Sequence, residues 1–112
     1  MKSIIEDDRE DRCFLCGAGG RMEVHHMIHG TANRKKADEN GLTVHLCTRC
    51  HRLLHDKGVN DRELQKYAQL EWERKYVQDE ADREYMAMNE RLKALPETAR
   101  EYWMSIFGKN YL

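Results

Sequence analysis

Cys47-Thr48-Arg49-Cys50-His51-Arg52-Leu53-Leu54-His55 is the stretch on which the fold turns, because it sets a Cys-x-x-Cys pair directly against a His-x-x-x-His pair. Its counterpart upstream is Cys13-Phe14-Leu15-Cys16, and the doublet His25-His26 lies between the two. Paired Cys-x-x-Cys segments have the ligand type and spacing of a structural zinc knot, in which four thiolates close a tetrahedron and leave no position open. The histidines are surplus to that knot. An i, i+4 pair on one helix face can ligate a single ion. The sequence therefore asks for two metals with different tasks: structural Zn at Cys13, Cys16, Cys47 and Cys50, and a second divalent ion among the histidines.

Composition agrees. A chain of 112 residues is one small domain with an extension, and the cysteine-bearing half alone would have a marginal core without a staple. No apolar run approaches the roughly 20 residues that span a bilayer, and the start MKSIIEDDRE is acidic where a signal peptide is basic and then apolar. A cytosolic protein with no membrane association is expected. In that reducing compartment, four cysteines with none left over read as metal thiolates rather than disulfides. The net charge of −1 gives no polyanion signature. Any nucleic-acid contact must be local, at Arg34, Lys35 and Lys36 after the His doublet and at Arg49, Arg52 and Lys57 around the second Cys pair.

Along the chain, residues 1–12 form a polar lead-in, short and helical or frayed. Gly17-Ala18-Gly19-Gly20 supplies the small residues of a zinc knuckle. Arg21 to Ile28 reads as a strand, with Met22, Val24, His26 and Ile28 alternating against Glu23, His25 and Met27, so that His25 and His26 face opposite sides. The polar segment HGTANRKKADENG from His29 to Gly41 has no periodicity and is expected to be a long loop. Leu42 to Leu46 is a second short strand, and a helix beginning at Thr48 or Arg49 stops near Gly58. These elements make up a zinc-stapled domain over residues 13–58. The remainder, 59–112, is a helical extension. Asn60-Asp61 caps a long helix that runs through Tyr85, Met86 and Met88 to Leu95, and a last short helix follows Pro96 and ends at Gly108. Its aromatics Tyr67, Trp72, Tyr76, Tyr102, Trp103 and Phe107 are expected to pack rather than stack on bases. Leu64, Tyr67, Ala68, Leu70, Met86 and Met88 also offer a face for a homodimer.

If strand, strand and helix fold as a ββα unit over the cysteine site, one histidine of the doublet faces the helix. His25, His51 and His55 would then bind one divalent ion and leave positions open, as a catalytic site requires. His26, free of the metal, would take a proton from water. Arg34, Lys35 or Lys36 would hold flanking phosphates. His29 and His45 are expected to be ordinary satisfied histidines.

The segments CFLC, VHHMIHG and NGLTVHLCTRCHRLLH resemble the HNH, or ββα-metal (His-Me finger), nucleases in the version that carries a four-cysteine zinc knot. Small phage and prophage HNH-like proteins are similar also at Lys36-Ala37-Asp38 and at Phe107-Gly108-Lys109-Asn110-Tyr111-Leu112. The resemblance implies an α+β fold with a ββα-metal core, and a metal-dependent DNA endonuclease using Mg, Mn, Ni or Zn. It implies His26 as general base and His25, His51 and His55 as ligands of the catalytic ion. The family's middle asparagine, which orients loop and base, usually stands where this chain has Leu42, and its role passes to Asn40. The competing expectation is a zinc-stabilised nucleic-acid-binding or recombination accessory protein, either because the four histidines hold a second structural ion or because the scaffold is kept for DNA binding without cleavage.

Overall fold

The computed structural model describes residues 2–86 and 96–112. Along them run β1 (Glu23–His26), α1 (Thr31–Glu39), β2 (Thr43–Leu46), α2 (Thr48–Lys57), α3 (Asp61–Met86) and α4 (Pro96–Phe107). This is a small α+β chain whose two strands pair antiparallel, His25 opposite Val44 and His26 opposite Thr43. β1 is shorter than its alternating sequence suggests, and its faces are the reverse of the apolar pattern. His25 and Met27 point inward, whereas Val24 is 51% exposed.

The segment read as a loop between the strands contains α1. Ala32, Arg34, Lys35, Lys36, Ala37 and Glu39 are good helix formers, but only Ala37 is buried, so no apolar stripe betrays the helix in the sequence. Asn40 caps its end through Nδ2 to the Lys36 carbonyl at 2.8 Å. Gly41 follows at φ 70°, pressed so closely against the N-terminal segment that a Cβ would sit 2.6 Å from the Lys2 carbonyl oxygen. That segment is not a frayed lead-in. Ile4 N–H donates to the Gly41 carbonyl at 2.9 Å, Ser3 Oγ donates to the Thr43 carbonyl at 2.6 Å, and Ile5 is buried.

α2 begins at Cys47, whose Sγ accepts the Cys50 N–H, and ends at Gly58 in the left-handed conformation, as its sequence predicts. α3 starts with Asp61 and Glu63 in its first turn, where acidic groups favour the helix dipole. Its expected continuation through Met88 to Leu95 falls outside the described residues. Leu64, Ala68 and Trp72, one turn apart, join Trp103 and Phe107 of α4 in a single core with Ile5, Met27, Ile28, Leu42, Val44, Leu46 and Leu54. The C-terminal helices are thus part of the same hydrophobic body as the strands. Of the proposed dimer face, Leu64 and Ala68 are buried and Tyr67 packs on the core inside the chain, while Leu70 is exposed. Lys36 is likewise committed, its ammonium donating to the Ile106 carbonyl at 2.8 Å. This tie of α1 to α4 corrects its reading as a free phosphate anchor. Among the described residues, no helix is long and apolar enough to cross a membrane.

Candidate metal centres

The first centre is made by two knuckles. Cys13 and Cys16 precede the glycine-rich turn, and Cys47 and Cys50 bracket the start of α2; the four Sγ atoms lie within 4.8 Å of one another. Cys16 and Cys47 Sγ are 3.8 Å apart, the edge of a tetrahedron whose arms are ~2.3 Å, the zinc–thiolate distance. Each pair also turns a backbone N–H onto a sulfur, Cys16 N to Cys13 Sγ at 3.5 Å and Cys50 N to Cys47 Sγ at 3.4 Å. Burial pushes the Cys13 thiol up, but the backbone groups of Cys47, Cys16 and Leu15 outweigh it and bring it down to about 6. Cys50 is pushed up to about 12, by burial first and then by the other three cysteines. Sulfurs this close cannot all be anionic without a cation among them. The four cysteines are therefore placed to hold a metal ion.

The second centre is an open cleft of about 520 Å³ lined by Val24, His25, His26, Ile28, His29, Arg34, His51 and His55, among others. His25 comes from β1, and His51 and His55 from one face of α2. Their ligand atoms lie within 4.8 Å of one another, and the Nε2 atoms of His51 and His55 are 3.0 Å apart. Two nitrogens bound to one ion at ~2.0–2.1 Å are separated by about 3 Å, so the spacing suits a shared cation. His25 is the decisive group. It is 2% exposed, and its Nε2 is buried without a hydrogen-bonding partner. Burial, and then the neighbouring His51, His29, His55 and His26, bring its pKa down to about 3. A neutral imidazole with an unused buried lone pair or N–H is costly unless something binds it, and a metal ion is the group that the surrounding nitrogens suit.

The sequence reading missed three carboxylates around this cleft. Glu23 Oε1 lies 2.8 Å from His51 Nδ1, which leaves Nε2 of that ring facing His55; the contact holds the Glu23 carboxyl below its usual range. A carboxylate on the far nitrogen of a ligating histidine fixes its tautomer and orientation. Asp38, on α1, has Oδ1 3.6 Å from His26 Nε2, a charge contact rather than a hydrogen bond. Asp61, the first residue of α3, hydrogen-bonds His29 Nε2. His29 is consequently not the incidental histidine that its position suggested, because its ring packs against those of His25 and His55. For His29 a signal existed, because it stands four residues after His25. His45 fits its expectation, with Nδ1 2.7 Å from Asp8 Oδ2.

Asn40 is not brought to the cleft. Its side chain accepts from Trp72 Nε1 at 3.1 Å and donates to Lys36 O, which ties the end of α1 to α3 and corrects its assignment beside the base. Of the basic residues, Arg34 lines the cleft, Lys35 is exposed on the same helix, and Arg49 and Arg52 are exposed on α2.

No family model, curated protein or solved structure matches this chain.

Proposed function

We propose that the chain is an HNH-type, metal-dependent DNA endonuclease with a ββα-metal core formed by β1, β2 and α2, and with structural zinc at the four cysteines. The observation that carries this reading is buried His25, whose Nε2 has no partner, clustered with the paired Nε2 atoms of His51 and His55, in a cleft that also holds two histidines outside that cluster, His26 and His29, and one exposed arginine. His25, His51 and His55 would hold a divalent ion, Mg, Mn, Ni or Zn, which when bound polarises a phosphate and stabilises the leaving oxygen. His26 lies across the strand from His25 and faces Asp38. Its remaining nitrogen would take the proton from a water attacking phosphorus in line. Arg34, with Lys35 beside it, would hold a non-bridging or flanking phosphate oxygen, while Arg49 and Arg52 on α2 would steer the duplex. Glu23 would keep His51 in the tautomer that presents Nε2 to the ion. At a net charge of −1, binding to DNA should be weak and salt-sensitive.

One observation favours a second reading, a zinc-stabilised DNA-binding module without cleavage: Asn40 is engaged with Trp72 rather than with the His26 loop. The two readings separate on supercoiled plasmid with each metal in turn. The parent should nick or linearise it, and His26→Ala should reduce the rate by about 10²–10⁴-fold with metal content unchanged. Intact plasmid under every metal would favour the module.

A further inference from the structure

Besides His25, His51 and His55, a second trio of donors meets in the same cleft: His25, His29 and Asp61, again with ligand atoms within 4.8 Å of one another. We infer that the cleft holds two overlapping cation positions hinged on His25, and that a manganese-type ion takes the one formed by His25, His29 and Asp61. The inference rests in part on the proposed nuclease reading, since both positions share His25, but it concerns which ion sits where.

Three features build this position. The chain after α2 makes a turn with both Gly58 (φ 71°) and Asn60 (φ 65°) left-handed, and it delivers Asp61 to the first turn of α3 beside the cleft. An asparagine accepts that conformation more readily than most residues. Asp61 and His29 are both only partly exposed, at 29% and 36%, so a carboxylate and an imidazole are held together with little freedom. His25, whose buried Nε2 has no partner, belongs to both donor trios. Neighbouring ligands of a six-coordinate ion bound at ~2.1 Å are about 3 Å apart and opposite ones about 4.2 Å, so Asp61 would exchange its hydrogen bond to His29 for the cation as the trio closes on it.

Donor chemistry separates the two positions. Three imidazoles suit zinc or nickel, whereas replacing one imidazole by a carboxylate favours harder ions such as manganese. The five donors do not all come within one coordination sphere; the groups within ligand distance are the two trios. Choice of ion therefore becomes choice of position. The simpler alternative is that Asp61 only fastens α3 to the end of β1 by its hydrogen bond to His29.

The test uses the full chain with the cysteine site loaded, one equivalent of zinc being retained throughout. Manganese(II) binding is followed by loss of the free-ion EPR signal, and zinc binding at the cleft by competition with a chromogenic chelator. Asp61→Asn and His29→Gln should each weaken manganese by at least about tenfold and zinc by less than about threefold; His51→Ala should do the reverse. Circular dichroism of each variant confirms that it is folded at the assay temperature. Manganese affinity unchanged in both Asp61→Asn and His29→Gln, manganese and zinc weakened alike, or no manganese uptake by the parent would overturn the inference. If the ion split is found but loaded parent leaves plasmid intact, the two positions stand and the nuclease reading falls. If plasmid is cut but no split is found, the reverse holds.

Discussion

The cysteine knot and the histidine cleft share α2, the knot through its N-cap Cys47 and first-turn Cys50 and the cleft through His51 and His55, yet they use the chain in opposite ways. The knot takes all its donors from two local pairs, and each pair carries its own backbone N–H to sulfur contact. Its four thiols differ only in how burial and neighbours treat them. The cleft gathers donors from β1, the end of that strand, α2 and the start of α3, and it surrounds them with carboxylates from three separate elements. A closed set of identical ligands fastens a fold. An open set of unequal ones, with an unsatisfied nitrogen at its centre, suits exchange of ligands and hence chemistry.

If that division is right, the largest effect comes from breaking the knot. Cys47 is both a candidate ligand of the knot and the N-cap of α2, so two substitutions separate those tasks. Cys47→Ser keeps a capping oxygen, while Cys47→Ala loses about 1 kcal/mol of cap as well. Both lose a metal ligand in a type of site that is worth roughly 10 kcal/mol or more to folding. Thermal melts should show both variants without a cooperative transition near room temperature and similar to each other. A Cys47→Ser protein that melts within a few degrees of the parent would mean that the core around Trp103 and Leu46 stands without the staple.

A smaller effect is expected at the cleft, because its ligands are supported one at a time. Glu23→Gln leaves an amide oxygen to accept from His51 Nδ1 but removes the charge, and Glu23→Ala removes both. Loss of such an outer partner typically costs 10–100-fold in metal affinity, so the glutamine should fall near the low end and the alanine near the high end. The readout is chelator competition for the cleft ion, with the knot's zinc content as control. Equal affinity in all three proteins would leave His51 oriented by α2 alone.

The same contrast explains what could be read from the chain in advance. Cys13, Cys16, Cys47 and Cys50 were legible because their spacing is itself the ligand geometry, and the α2 histidines because i, i+4 is a helical neighbour relation. α1 was not legible: with only Ala37 buried, a charged helix shows no period. The inward turn of His25 at the expense of Val24 was hidden too, since alternation fixes which residues share a face but not which face is covered. Glu23, Asp38 and Asp61 were unreadable for a different reason. They are three carboxylates among 20 acidic residues, and only the folded backbone brings them to a histidine.

The smallest effect is a pH dependence at the centre of the cleft. With the cleft ion stripped and the knot intact, His25 stays neutral in the folded chain down to about 3, against 6.5 when exposed. Between those values the unfolded chain takes up a proton that the folded chain refuses, so acidification through this window destabilises the fold, by up to about 1.4 kcal/mol per pH unit. Integrated from pH 7.5 to 5.5, the loss is about 1.4 kcal/mol, because the unfolded imidazole is only part-protonated in the upper half of that range. Urea unfolding at the two pH values, on parent and His25→Gln, isolates this contribution, since the glutamine does not titrate. The variant's stability should change less with pH by that amount, whatever its absolute value. Parallel pH dependences would mean that His25 is protonated in the folded cleft below about 6.5, as it is when exposed. The imidazole common to both cation positions would then carry an extra proton, and a cation would have to displace it before binding.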